Sequence, residues 1–278
     1  MKYIEINAVA KINLGLNVVS KRDDGYHNLE TVFYPLFDLH DKVFIKKSDK
    51  FSFFCENDEI NRNNNNLFLT PINKLEILFK RKFNVEINCL KNIPIGAGLG
   101  GGSSDAASII ISLNDMFGLG LGTEEMIKLA LEIGSDVPFF IKAKPSYATG
   151  RGEILEQLHF YLNYPILLIN PNIHVSTKEA FSNINPQKSE FDIRTLFLKD
   201  EPDFLQWRQY LKNDFEKTVF KQFPLLKNIK EELYKYGAEF SLMSGSGATV
   251  YGIFKDISTA EKAKNNFPNS FFKFLNLP

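Results

Sequence analysis

The segment Pro94-Ile95-Gly96-Ala97-Gly98-Leu99-Gly100-Gly101-Gly102-Ser103-Ser104-Asp105-Ala106-Ala107 holds five glycines in seven positions. Glycine admits φ > 0 and places no Cβ between the backbone and a ligand, so successive N–H groups can turn toward one centre. Upstream, Phe83 to Cys89 alternates apolar and polar residues and predicts a strand. Downstream, Ser103 or Ser104 suits the N-cap of an apolar helix running from Asp105 to about Asn114. A glycine loop that feeds a helix N-terminus is an anion site, and phosphate suits it best. The residues expected to cradle that phosphate run from Pro94 to Ser104. The alternative, a bare structural turn, leaves the backbone cost of so many glycines without a ligand to offset it.

The letters Gly96, Gly98 and Gly101 satisfy G-x-G-x-x-G, a weak pattern by itself. A dinucleotide fold wants an acid at a strand end roughly 20 residues on. The nearest acids there, Glu124 and Glu125, fall at a helix start. The Gly-Lys-Ser/Thr of a P-loop and the His-Arg-Asp and Asp-Phe-Gly of protein kinases are absent from the sequence.

Working outward, residues 3–7, 12–18, 43–47 and 51–54 alternate as strands, broken by turn chemistry at 20–25. Residues 61–66 are polar enough for a loop, and 67–79 has helical spacing. Thr123 opens another helix with Glu124 and Glu125 favouring its dipole. From Arg151 to Asn163 the chain reads as turn and linker, and the apolar run 164–169 opens a second domain. Helices are expected within 177–181, 204–212, 224–236 and 257–266, and strands at 240–243, 249–254 and 271–275. A second glycine-rich loop separates the first two of these last strands. Mixed elements without strict βαβ alternation predict an α+β fold. Two domains are expected, residues 1–155 and 156–278.

The 33 basic and 33 acidic side chains cancel, which gives no ground for binding nucleic acid or an anionic membrane. Two cysteines without a C-x-x-C spacing suggest neither a disulfide framework nor a zinc site. No secretory leader and no apolar run of about 20 residues is seen, so a cytoplasmic chain is expected. Oligomeric state is not legible.

The glycine segment resembles the second motif of the GHMP kinases, the superfamily of galactokinase, homoserine kinase and mevalonate kinase. Ala8-Val9-Ala10-Lys11-Ile12-Asn13-Leu14-Gly15 resembles its first motif and Leu242-Met243-Ser244-Gly245-Ser246-Gly247-Ala248 its third. All three stand in the family's order and span almost the whole chain. Val9 stands where a proline is more usual, a difference of backbone stiffness. Arg22-Asp23-Asp24-Gly25-Tyr26-His27 and Ile133-Gly134-Ser135-Asp136-Val137-Pro138-Phe139 are similar to the branch that phosphorylates 4-diphosphocytidyl-2-C-methyl-D-erythritol on its C2 hydroxyl in non-mevalonate isoprenoid synthesis.

That resemblance implies two α+β lobes with the active site in the cleft between them, and ATP as phosphoryl donor. It implies Lys11 and Asp136 as the catalytic pair. A carboxylate can take the proton of a poorly nucleophilic alcohol, and a lysine can keep it ionised and neutralise charge on the transferring group. It implies Tyr26, His27 and Phe181 as the cytidine-recognition residues, with Asn13 and Thr177 as further substrate contacts. The loop around Gly245 and Gly247 would close over the phosphates. Mg²⁺ follows from ATP chemistry, with Ser103 or Ser104 the first candidate among otherwise unidentified ligands. The implied partners are ATP and a cytidine diphosphate-linked alcohol. His40, His159 and His174 share no ligand spacing and read as structural or surface residues.

Three other readings fit part of the pattern. Another GHMP kinase would have no use for Gly25-Tyr26-His27. A nicotinamide or flavin oxidoreductase would use the glycine loop for a dinucleotide. A nucleotide-binding regulator would have no need of both Lys11 and Asp136.

Overall fold

The structure, a computed structural model, describes residues 3–62, 66–199 and 201–278. The chain forms two compact units that interleave in sequence. The first takes residues 1–10, 39–95 and 100–143, the second 11–38, 96–99 and 144–278. Two long strands, β1 (Ile4–Lys21) and β2 (His27–Lys47), contribute to both.

The first unit continues with β3 (Ser52–Cys55), α1 (Asp58–Arg62), α2 (Leu69–Phe79), β4 (Val85–Leu90), α3 (Gly101–Phe117), α4 (Thr123–Leu131) and α5 (Val137–Lys142). Alternation in β4 buries Val85, Ile87 and Cys89 on one face. β4 pairs parallel with β3 and antiparallel with residues 42–47 of β2. Cys55 and Cys89 face each other in register, buried and free. The apolar side of α3, with Ala106, Ile109, Ile110 and Leu113, is buried.

The second unit adds β5 (Ser146–Thr149), β6 (Ile154–Gln157), β7 (Ile166–Asn170), α6 (Thr177–Ser182), α7 (Phe204–Tyr210), α8 (Glu216–Gln222), α9 (Pro224–Lys235), β8 (Ala238–Met243), β9 (Val250–Phe254), α10 (Ile257–Asn266) and β10 (Phe272–Asn276). A four-stranded antiparallel sheet in the order β10-β7-β9-β8 is its frame. Leu167, Ile169, Val250 and Phe254 from that sheet pack with Leu226, Ile229 and Leu233 of α9 in one buried cluster. Residues 31–33 of β2 pair with the β5–β6 hairpin.

The mixed α+β class holds, with four local corrections. The two expected strands at 3–7 and 12–18 are one strand. Residues 27–42, unassigned from sequence, continue β2 through Pro35. Residues 154–157, read as turn and linker, form β6. The polar stretch 61–66 is only partly a loop: Asn61 and Arg62 are the last residues of α1, and the Asn66 carboxamide accepts the N–H groups of Phe68 and Leu69 where α2 begins. The rest of that stretch, residues 63–65, lies outside the described residues, as do Met1 and Lys2 of the N-terminal reading. Among the described residues no helix is long and apolar enough to cross a membrane.

Candidate active site

The glycine loop divides its glycines between two jobs. Gly96, Gly98 and Gly100 have φ of +65°, +78° and +74°, while Ala97 and Leu99 between them are buried. Positive φ at alternate residues is the backbone setting of an anion-binding nest, and buried Ala97 and Leu99 anchor the loop between them. Gly101 and Gly102 are already helical, the first residues of α3. Their lack of a Cβ is steric: one on Gly101 would stand 3.0 Å from Ile93 and 3.3 Å from the Asp41 carboxylate, one on Gly102 2.8 Å from Leu67. The expected serine cap is therefore corrected. The N-cap is Gly100, whose left-handed conformation admits the helix directly, and Ser103 and Ser104 lie within the first turn. Ser104 is buried and its N–H donates to Gly100 at 2.9 Å; Ser103 keeps partial exposure.

In the second unit, Lys11 sits on β1 with only 3% exposure. Its Nζ donates to Asn13 Oδ1 at 2.7 Å and to the Gly98 carbonyl at 3.2 Å, and lies 5.2 Å from the centre of the Phe33 ring. Asn13 is itself fixed by Thr31 Oγ1 at 2.8 Å and by Tyr251, whose hydroxyl donates to the Asn13 carbonyl at 2.9 Å. Ser244 Oγ accepts from Asn13 N and donates to the Gly98 carbonyl at 2.9 Å. Thr249 N donates to the Ala97 carbonyl at 3.2 Å. The glycine loop, the Lys11 strand and the third-motif loop thus hold one hydrogen-bonded arrangement. Sequence reasoning found Lys11 and Asn13 but missed Thr31, Ser244 and Tyr251; only Ser244 carried a signal, its place inside the third motif.

Tyr26 is 53% exposed and lies under the Arg151 guanidinium, 4.7 Å from its ring centre. His27 stacks on Phe181 with centroids 5.0 Å apart, and the Phe181 and Phe215 rings meet at 88°. Burial, with Lys21 adding to it, holds the His27 imidazole below its ordinary pKa. It is therefore neutral at pH 7, with one nitrogen to donate and one to accept. Thr177, the first residue of α6, shares a hydrogen bond of 2.9 Å with Ser246 of the third-motif loop. His174 packs beside Gly96, its ring 3.4 Å from where a Cβ there would stand.

In the first unit, Asp136 directly precedes α5, and its side chain makes no capping bond to that helix. Beside Gly101 lies a buried trio that sequence reasoning did not find. Asp41 Oδ1 accepts the N–H groups of Asn92 at 2.7 Å and Ile93 at 2.8 Å, and Lys91 bridges Asp41 and Asp105, the latter at 2.6 Å. Asp105 is 1% exposed and its Oδ1 has no hydrogen-bond partner among the described residues. Burial, reinforced by Asp41 against the pull of Lys91, pushes the Asp105 carboxyl up to about 7. Burial also opposes the Lys91 charge, yet the two carboxylates outweigh it and raise its pKa. A raised carboxyl means the folded state binds more protons than the unfolded one between pH ~4 and ~7. Stability is lost as pH rises through that window. An asparagine imitates the protonated acid, so the advantage of Asp105→Asn in thermal melts should grow from pH 5 to pH 8. Parallel pH profiles for the two proteins would contradict this assignment.

A positive-φ glycine loop leads into α3, and a buried lysine rests on the loop's Gly98 carbonyl, as the resemblance to the GHMP kinases implies. The chain matches the family descriptions "GHMP kinases N terminal domain" over residues 66–144 and "GHMP kinases C terminal" over residues 194–273. It is 44% identical over 259 residues to the 4-diphosphocytidyl-2-C-methyl-D-erythritol kinase of Bacteroides thetaiotaomicron, covering 90% of this chain and 92% of that one. Identity to the enzyme of the same name from Chlorobium phaeobacteroides is 36% over 284 residues, with 98% and 96% covered. A crystal structure of 4-(cytidine 5'-diphospho)-2C-methyl-D-erythritol kinase superposes with a TM-score of 0.83 at 28% identity over 98% of both chains. Homoserine kinase from Cytophaga hutchinsonii shares the fold at a TM-score of 0.70 and 15% identity, over 99% of this chain and 94% of that one. The chain belongs to the 4-diphosphocytidyl-2-C-methyl-D-erythritol kinase family.

Proposed function

We propose that this chain transfers the γ-phosphate of ATP to the C2 hydroxyl of 4-diphosphocytidyl-2-C-methyl-D-erythritol, giving the 2-phosphate and ADP in isoprenoid precursor synthesis. The observation that carries the reading is the nest of Gly96, Gly98 and Gly100 entering α3, in a chain of this family. The segment Pro94 to Ser104 binds the nucleotide phosphates, with backbone N–H groups offered between Ile95 and Ser103 and the first turn of the helix behind them. The substrate oxygen forms a bond to the γ-phosphorus as the bond to the β,γ-bridging oxygen breaks. Asp136 receives the hydroxyl proton, and Lys11 offsets charge on the transferring group. Because such transition states are loose, placing the hydroxyl counts at least as much as basicity.

Mg²⁺ would enter with ATP and neutralise charge on its phosphates. Among the described residues no three His, Cys, Asp or Glu side chains gather into a cation cage. The Ser103 hydroxyl, in the first turn and partly exposed, suits a single protein contact to a nucleotide-held ion. An ATP-consuming step on a small polar substrate suits the cytoplasm.

Tyr26 and Phe181 supply aromatic faces for cytosine, and neutral His27 reads its polar edge. Asn13 and Thr177 contribute further substrate contacts. Uracil inverts the donor at the 4-position, so the uridine analogue should lose roughly 10²-fold or more in kcat/KM. KM for the cytidine substrate should rise only at acid pH, where His27 gains a proton. Equal turnover of both pyrimidines would overturn this recognition scheme.

A further inference from the structure

Asn213, between α7 and α8, is buried and donates both amide hydrogens to backbone carbonyls thirty residues along the chain. Its Nδ2 bonds Met243 O at 2.7 Å and Gly245 O at 2.8 Å, while Oδ1 accepts Phe215 N at 3.0 Å. Both amide hydrogens and one of the two acceptor positions on Oδ1 are thus taken, which fixes the orientation of the carboxamide. The two carbonyls flank Ser244, the residue that grips Gly98. Glu216 fixes the same strand end from beside it, accepting Met243 N at 2.9 Å and pairing with Lys230 at 2.6 Å. The segment that carries Asn213 is itself tied to β1: Leu16 N donates to Lys212 O at 2.7 Å, and Val18 N to Asp214 Oδ2 at 2.7 Å.

These contacts have a directional consequence. A trans peptide sets its C=O and N–H in opposite directions. Holding the Gly245 carbonyl on Asn213 therefore aims the Ser246 N–H away from Asn213. Ser246 is also the one residue from Leu242 to Val250 that is not buried. Ser244, held between the two pinned carbonyls, passes the constraint to the Gly98 carbonyl, on which Lys11 Nζ also rests.

We propose that Asn213 is a positioning residue for phosphoryl transfer: it sets the third-motif loop so that the Ser246 amide and, through Ser244 and Gly98, the glycine nest present their donors to the nucleotide phosphates. The proposal rests on the nucleotide reading given above. A side chain other than a double donor of this length cannot hold both carbonyls. In Asn213→Asp an oxygen faces them and repels; in Asn213→Ala they are left without a partner. Asn213→Ser can serve only one of the two.

The test compares binding of the non-hydrolysable analogue AMP-PNP, with magnesium, and of cytidine 5'-diphosphate to wild type, Asn213→Ala and Asn213→Ser, with a thermal melt for each. AMP-PNP affinity should fall at least about tenfold in the alanine variant and by less in the serine variant, with cytidine diphosphate affinity unchanged. A purely structural role would lower the folded fraction and leave both affinities of the folded protein intact. Should the alanine variant not fold, the serine variant carries the comparison. Folded variants that bind AMP-PNP like wild type overturn the proposal and leave the nucleotide reading standing. A wild type that binds no AMP-PNP overturns both.

Discussion

Asp136→Asn should lower kcat by roughly 10²- to 10⁴-fold if Asp136 takes the hydroxyl proton as proposed, the usual contribution of such a group in the transition state. The substitution keeps size and hydrogen-bonding reach but removes proton affinity. A thermal melt of the variant gives its folded fraction, so that turnover is compared per folded molecule. The Michaelis constants for ATP and the alcohol should stay within about threefold, the pattern of an interaction made in the transition state. Rapid-quench single-turnover kinetics read the chemical step directly. A variant that melts early and keeps its turnover would assign Asp136 to the scaffold.

Gly98→Ala should be severely damaging. Its Cβ would stand 2.1 Å from the Ser244 carbonyl oxygen and 3.0 Å from that of Gly247, both backbone atoms that cannot rotate aside. The site also has φ of +78°, which alone costs an alanine roughly 1–2 kcal/mol. Loop separation would release the Gly98 carbonyl from Ser244 and Lys11 together. The expected result is a loss of at least ~3 kcal/mol in stability, or more than ~10²-fold in kcat/KM in whatever fraction folds. Gly120→Ala is the control: φ is +74° there, but nothing lies within 4 Å of its Cβ, so only the backbone strain of about 1–2 kcal/mol remains. Equal melting curves for the two variants would remove the close approach of the glycine and third-motif loops from the account.

Much of this organisation was legible in the chain itself. The helix at 257–266 and the strand near 83–89 announce themselves by period, and the strands near 240–243 and 249–254 as short apolar runs on either side of a glycine-rich turn. The start of β2 did not. Residues 31–36 are buried on both faces, so alternation vanishes, and Pro35 reads as a breaker. β6 failed for the opposite reason: it is largely exposed, and its pairing with β5 supplies the strand character. The serine cap was misplaced because glycines look like loop, whereas Gly101 and Gly102 are helical and small to admit Ile93, Asp41 and Leu67.

The site shows the same division. The motifs pointed to Lys11, Asn13 and the glycine nest, and these share hydrogen bonds in the second unit. Asn213 and Lys91 left no local trace. Each acts on backbone or carboxylates far away in sequence, and an asparagine before a helix or a lysine after a strand is ordinary surface chemistry until the fold shows its partners.

The most direct test of the central claim is ADP release by the wild-type chain with ATP and magnesium, offered 4-diphosphocytidyl-2-C-methyl-D-erythritol, homoserine and mevalonate in separate reactions. The account predicts turnover with the cytidylated alcohol and background rates with the other two. Turnover with homoserine or mevalonate would contradict the roles given to Tyr26 and His27. Bound ATP with no ADP released from any of the three would contradict the assignment as a kinase.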